Sequence, residues 1–524
     1  MVTKGVSEEC NDNSIHDFPA INELTVDVVD VRKKILELNV NKSTGPDCIP
    51  ARLIRDYVDF FAPIITGIFK RSLREGVLPT ILKTAHLIPL FKNRSKISPT
   101  NYRPVSITAI IAKIMESIVK DHIEKHIIEH NVMSSFQHGF CKGRSTATNM
   151  IEYWNDLSQQ VDVASSISII YTDLRKAFDS VPHDLLLVKL KRIGINGSLY
   201  RWIEEFLRDR EQKVVIKGKM SSSVRVESGV PQGGVLSGLF FAIYINDLPL
   251  VFDSCKVSLY ADDAKIYAPI TSQASIQAVQ KDINNMVEWC KKWRLNIHPD
   301  KCFHLQHNPR SVSKSWNPDY YIGAAKISRK SEGKDLGITI TEDLKFHRHI
   351  NNVCQKANRE TNRIRRTFVC RSPNFLSNMY KMYVRPHLEY CVEVWNPCYA
   401  GDVAKLEKTQ NKFTKLLNLG AVMTPSERNR KLGISSHEDR RAQGDLIAMF
   451  KNLSNENLYE MRSSDRTRGN GKTISFPRAN TLNRKHSLAC RRVAEWKRLP
   501  EYVVNSQNLN FFKNNLDSHF RTVF

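Results

Sequence analysis

Val257-Ser258-Leu259-Tyr260-Ala261-Asp262-Asp263-Ala264-Lys265-Ile266-Tyr267-Ala268 decides how this chain is read. Two short runs of β character meet at Tyr260 to Asp263, which predicts a hairpin with two adjacent carboxylates at its tip. Adjacent carboxylates repel one another and resist joint ionisation. A solvated hairpin tip would carry the same pair, because turns take aspartate readily. A hard divalent cation resolves the repulsion, since Mg²⁺ takes oxygen ligands and is usually shared between one or two carboxylates and substrate phosphates. A two-ion site for phosphoryl transfer then needs a further carboxylate at another strand end. Asp173 meets that need. It ends the apolar run Ser168-Ile169-Ile170-Tyr171-Thr172 and precedes a turn into helix.

Three segments follow one another in order: Tyr171-Thr172-Asp173-Leu174-Arg175-Lys176-Ala177-Phe178-Asp179, then Ser228-Gly229-Val230-Pro231-Gln232-Gly233, then Tyr260-Ala261-Asp262-Asp263. In this order they resemble palm motifs A, B and C of the reverse transcriptases of non-LTR retrotransposons, most closely the jockey-like group. The resemblance runs from about residue 30 to the C-terminus. It implies an α+β right-hand polymerase with fingers, an antiparallel-sheet palm and a helical thumb. It also implies an RNA-directed DNA polymerase using two Mg²⁺ ions, with Mn²⁺ as a substitute, held by Asp173, Asp262 and Asp263.

Composition agrees with a polyanionic partner. Lys and Arg number 78 against 54 Asp and Glu, a formal net charge of +24. Each phosphate contact made by such an excess releases counterions and adds salt-sensitive affinity. No basic amphipathic helix with an aromatic apolar face favours a membrane surface instead. The longest apolar stretches, 60–69 and 239–245, are too short to span a bilayer, and residues 1–13 lack a signal-peptide core. An intracellular protein of nucleus or cytoplasm is expected. Eleven cysteines without a C-x-x-C pair read as reduced thiols rather than a disulfide framework or zinc ribbon.

The remaining candidates lie on both sides of the palm motifs. Lys92 at the end of the strand 84–91, and Arg103 in Asn101-Tyr102-Arg103-Pro104, are cations suited to a triphosphate. The Asn-Tyr-Arg-Pro context matches the family's finger motif, whereas Phe91-Lys92-Asn93-Arg94 departs from it. The basic loop Gln137 to Thr146 opens a helix, so its amides with Lys142 and Arg144 suit a template phosphate. Cys141 stands where the family usually has Arg. Phe178 reads as a core ring on composition alone; the resemblance makes it the wall that excludes a 2′-hydroxyl. The glycines of Ser228 to Gly234 let backbone approach a ligand closely, and the family places Gln232 against the incoming dNTP. Gly234-Val235-Leu236-Ser237-Gly238 departs from the usual Ser-Val-Leu-Gly-Pro. Tyr260 is expected beside the primer terminus. Leu295 to Lys301 resembles motif D, whose lysine sits near the leaving pyrophosphate, where Lys301 donates a proton or offsets charge. Lys334 to Ile338 resembles the motif E hairpin that grips the primer end.

The expected domains are a flexible lead-in over 1–25, fingers and palm over 26–345 (fingers about 80–165, palm about 166–345), a helical thumb over 346–460 and a basic tail over 461–524, of which 461–500 reads as a flexible nucleic-acid arm or a solvated linker. RNA template, DNA primer, RNA–DNA hybrid and dNTPs are the expected partners; oligomeric state is not legible. An RNA-dependent RNA polymerase shares the carboxylates but needs room for a ribose, against Phe178. A decayed relic that only binds RNA or DNA is the other reading. Nothing in the chain resembles an endonuclease, an RNase H module or a Cys-His knuckle, whereas full-length members of the resembled family carry an endonuclease upstream; whether the chain is a truncated copy is not legible from it.

Overall fold

The computed structural model describes residues 18–92, 95–163, 166–309, 316–417, 423–455, 458–462 and 473–523. At its centre a five-stranded sheet runs in the order Ser328–Arg329, Phe303–His307, Ser166–Thr172, Asp263–Ile270, Lys256–Tyr260. The strand Ser166–Thr172 is buried along its whole length. A strand covered on both faces reads as a continuous apolar run, which is why Ser168 to Thr172 shows no polar alternation. Ile170 and Ile266 face one hydrophobic core. Ile167, Ile169, Tyr171 and Tyr267 face a second core. The sheet is the wall between the two.

The first core gathers the N-terminal helices, the helix Ile110–Glu129 and the helices that follow the Asp173 strand. Ile110, Ile114, Ile118 and Ile127 are all buried on Ile110–Glu129, and so are Ala112, Glu116, Val119 and Ile123, so the helix is covered on more than one face. A second sheet pairs Thr84–Phe91 antiparallel with Tyr102–Thr108 and parallel with Arg210–Ile216. Residues 51–75 form two helices, Ala51–Asp56 and Val58–Glu75, because Tyr57 between them leaves helical geometry (φ −113°, ψ 42°). Gly76, at φ +65°, ends the second of them.

The second core holds the helices from His347–Thr367 to His437–Lys451 together with the C-terminal segment. Two expectations of flexibility fail where residues are described. The end of the lead-in is tied down, with the Ile21 amide donating to the Gly194 carbonyl at 2.8 Å. The tail is folded: Arg484 is buried and donates to Asn155 Oδ1 at 2.7 Å, while Arg491 Nε donates to the fully buried Asp445 at 2.8 Å. Arg491 is thus an internal counter-charge and Arg484 an internal donor, in a segment that Trp496, Val503, Val504, Phe512 and Leu516 bury. Residues 1–17 of the lead-in, and Arg466, Arg468 and Lys472 of the tail, lie outside the described residues. Among the described residues no helix is long and apolar enough to cross a membrane.

Candidate active site

The catalytic candidates are placed by strand register. Ser166–Thr172 pairs antiparallel with Asp263–Ile270, ending at Thr172↔Ala264, so the next residue on each strand is Asp173 and Asp263. Lys256–Tyr260 pairs with the same strand up to Tyr260↔Asp263, which leaves a two-residue turn, Ala261-Asp262. Ala261 has φ +54°, in the left-handed region that costs an L-residue energy. All three carboxylates therefore reach one end of the sheet, Asp262 from the turn and the other two from adjoining strand ends.

Asp262, half-buried in the turn, and Asp263, exposed beside it, are crowded acids. Burial raises the Asp262 carboxyl above the usual carboxylate range, Asp173 adds to the rise, and Arg103 and Lys301 oppose it. Asp263 is pushed up to about 6, by burial first and then by Asp262, Asp335 and Asp173. Lys301 Nζ donates to Asp173 Oδ1 at 3.0 Å. The backbone holds that lysine's loop in place, since the His298 amide donates to the Asp173 carbonyl at 2.8 Å and the Arg175 amide to the Asn296 carbonyl at 2.7 Å. An oxygen-only donor set that resists its own charge fits a hard divalent cation. Among the described residues no three His, Cys, Asp or Glu side chains form a ready cage.

The glycine loop is pressed against the Asp173 segment. Gly229 (φ +89°) would put a Cβ 2.7 Å from the Asp179 backbone, and Gly233 (φ +117°) would put one 2.7 Å from the Ser106 carbonyl. Gln232 Nε2 donates to Asp179 Oδ1 at 2.9 Å. The helix Ser237–Tyr244 follows, and the departure from the family pattern does not disturb its start: Ser237 Oγ donates to the Pro231 carbonyl at 2.6 Å. Glu116, a buried carboxylate that sequence reading missed, accepts from the Val235 amide at 2.7 Å and the Leu236 amide at 3.3 Å. A glutamate in line with the apolar Ala112, Val119 and Ile123 was the available signal. Phe178 stacks on Phe241 (ring centroids 4.5 Å) and meets Phe140 edge-on (5.7 Å).

Other candidates are placed unevenly. Arg103 is exposed and within electrostatic reach of Asp262. Lys92 is exposed on the same hairpin, its amide donating to the Asn101 carbonyl at 2.9 Å. Tyr260 is half-buried near Tyr390, whose hydroxyl donates to the Leu336 carbonyl at 2.9 Å in the turn between Glu332–Asp335 and Ile338–Thr341. Lys142 is exposed. Arg144 is turned inward, donating to the Ser134 carbonyl at 2.7 Å and to the carbonyls of Ser135 and Gln137.

Residues 91–340 match the family described as reverse transcriptase (RNA-dependent DNA polymerase). Those residues belong to the reverse transcriptase family. The domain is similar to the RNA-directed DNA polymerase from mobile element jockey of Drosophila melanogaster (27% identical over 407 residues, 75% of this chain and 44% of that protein). It is also similar to the jockey polymerase of Drosophila funebris (25% over 405 residues, 75% and 44%). The probable RNA-directed DNA polymerase from transposon BS of Drosophila melanogaster matches at 24% over 402 residues (74% and 44%). The chain thus spans less than half the length of these relatives. A solved apo telomerase from Candida tropicalis is a remote structural match (TM-score 0.34, 11% identity, 51% of this chain and 54% of that one). The reverse transcriptase domain contains every palm residue discussed above, and the resemblance to jockey-like non-LTR enzymes holds. Its fold is the α+β right hand.

Proposed function

We propose that the chain is an RNA-directed DNA polymerase that adds deoxynucleotides to a primer 3′-hydroxyl on an RNA template. The observation that carries this is the register that brings Asp173, Asp262 and Asp263 to one end of the palm sheet. Two Mg²⁺ ions bound there supply polarisation of the hydroxyl and charge for the leaving pyrophosphate. Asp173 and Asp263 offer oxygens from adjoining strand ends and Asp262 from the turn, so the three accept cations only when ionised. Arg103 and Lys92, on one hairpin, meet the triphosphate. Lys301, already paired with Asp173, offsets charge at the leaving group or donates a proton to it.

Phe178 fills the space a ribose 2′-hydroxyl would need, and Gln232, held by Asp179, backs the incoming base. Tyr260 flanks the primer terminus. Lys142 meets the template backbone, and Arg144 shapes the loop that presents it. On the helix His347–Thr367, Arg359, Arg363 and Arg366 are exposed along one concave strip, suited to holding an RNA–DNA hybrid by shape and backbone. These partners place the site of action inside the cell, in nucleus or cytoplasm.

Primer extension on an RNA template with dNTPs and Mg²⁺ tests the reading, with Asp262→Asn/Asp263→Asn as control. Synthesis by the intact chain and none by the double variant is expected. If neither extends while both bind the hybrid with the same salt dependence, the chain is a binding protein and the polymerase reading falls.

A further inference from the structure

The loop assigned from sequence to the template is also wired into the catalytic turn. The Leu259 amide donates to the Phe136 carbonyl at 3.0 Å and the His138 amide donates to the Leu259 carbonyl at 3.0 Å, so the loop forms a short parallel bridge with the strand that leads into the two aspartates. Gln137 is fully buried there. Its Oε1 accepts from the Gly139 amide at 2.7 Å and from the Ala261 amide at 3.0 Å. Its Nε2 has no hydrogen-bond partner. Gly139 is packed so closely that a Cβ would stand 2.2 Å from the Ala261 nitrogen. Asn149, also fully buried, donates to the Leu259 carbonyl at 3.0 Å and to Ser258 Oγ at 2.9 Å.

Ala261 is the residue these contacts enclose, and it holds a left-handed conformation that an alanine does not favour. Such strain persists where the surroundings over-determine the backbone. We infer that Gln137 is a positioning residue of the reaction: its side-chain carbonyl holds the Ala261 amide and thereby sets the directions of Asp262 and Asp263. Arg144 extends the chain of contacts by one step, because it donates to the Gln137 carbonyl. The loop that presents Lys142 to the template and the turn that carries the carboxylates are thus one rigid unit.

The inference rests on the polymerase reading, and full-length protein separates the two. Gln137→Met keeps length and loses the acceptor, whereas Gln137→Glu keeps the acceptor because the lost amide nitrogen makes no bond. For Gln137→Met, kcat for single-nucleotide extension falls by about 10²-fold, the cost of a misplacement of about 1 Å. KM for dNTP and hybrid affinity stay within about twofold. Mn²⁺ binding to the enzyme alone, read by water-proton relaxation, weakens in parallel, and Gln137→Glu recovers both readouts.

Wild-type kcat and Mn²⁺ affinity in Gln137→Met would overturn the inference while the aspartate double variant still upheld the polymerase. A loss of kcat matched by an equal loss of hybrid affinity and melting temperature, unrescued by Gln137→Glu, would make Gln137 a folding residue and overturn it as well. An intact chain that never extends would instead remove the polymerase reading beneath it.

Discussion

Lys265 Nζ lies 2.7 Å from Asp335 Oδ2, with the two side chains 4% and 5% exposed, and so ties the catalytic hairpin to the hairpin Glu332–Thr341. The same ammonium sits over the Tyr153 ring at 4.4 Å and 3.2 Å from Met150 Sδ. Burial pushes Lys265 down and its partner Asp335 opposes that. Removing one partner strands a buried charge, which costs about 3–5 kcal/mol, whereas replacing both with apolar groups is close to neutral. Lys265→Met is expected to destabilise by that amount, and Lys265→Met/Asp335→Leu to recover most of it. Urea unfolding of the three proteins measures this. Equal midpoints for wild type and Lys265→Met would show the pair contributes nothing.

Sugar selection is expected to depend on a stack rather than on one ring. A Cβ at Gly238 would meet Phe140 Cδ1 at 2.3 Å, and the Phe140 ring is the edge partner of Phe178. Phe178→Ala should lower the deoxy-to-ribo ratio of kcat/KM by about tenfold or more. Gly238→Ala, by displacing Phe140, should move the ratio in the same direction by less. Single-nucleotide insertion with dGTP and GTP gives both ratios. An unchanged ratio in Phe178→Ala sinks the gate.

Hybrid binding by the thumb should be backbone-directed. Arg359, Arg363 and Arg366 are exposed on one helix. Replacing all three with alanine should reduce the slope of log K against log salt by up to about three, about one for each phosphate no longer neutralised. The reduction should be the same on unrelated sequences. Filter binding at several salt concentrations decides it, and a sequence-dependent loss would point to base contacts instead.

His349 predicts a pH effect on stability whose sign is definite. It is buried, its Nδ1 accepts from the Thr339 amide at 3.1 Å, and its ring packs edge-on against Trp395 at 5.0 Å. Burial, then Lys356 and Lys334, push it down to about 4 from an ordinary 6.5. Between those values the unfolded chain binds a proton that the folded one does not, so stability present above about pH 6.5 is lost as pH falls towards 4. His349→Asn keeps the acceptor without titrating. Its stability relative to wild type should improve by about 1.4 kcal/mol per pH unit on acidification through that window. Unfolding at pH 7, 6 and 5 tests this, and parallel curves would refute it.

Much of the site is legible along the chain because each motif is local. Apolar runs ending in aspartate put Asp173 and Asp263 at strand ends, and glycines at 229 and 233 sit where the backbone needs positive φ and close approach. That Arg144 and the tail arginines Arg484 and Arg491 are held inward is not legible along the chain. A cation seen in sequence is taken as solvent-facing, and nothing local reveals the carbonyls of Ser134 and Gln137 or the carboxylate of Asp445 that hold it.

Reading along the chain was enough to pick out the candidate groups and the order of the palm motifs, because strand periodicity and turn composition act over a few residues. Which groups hold those motifs in place emerged only from the folded arrangement. Gln137 bonds to Ala261 across 124 positions, Glu116 to Leu236 across 120 and Lys265 to Asp335 across 70. Such pairs share no local pattern. They meet because folding buries distant segments against one another and leaves each buried polar group to find its partner inside the protein.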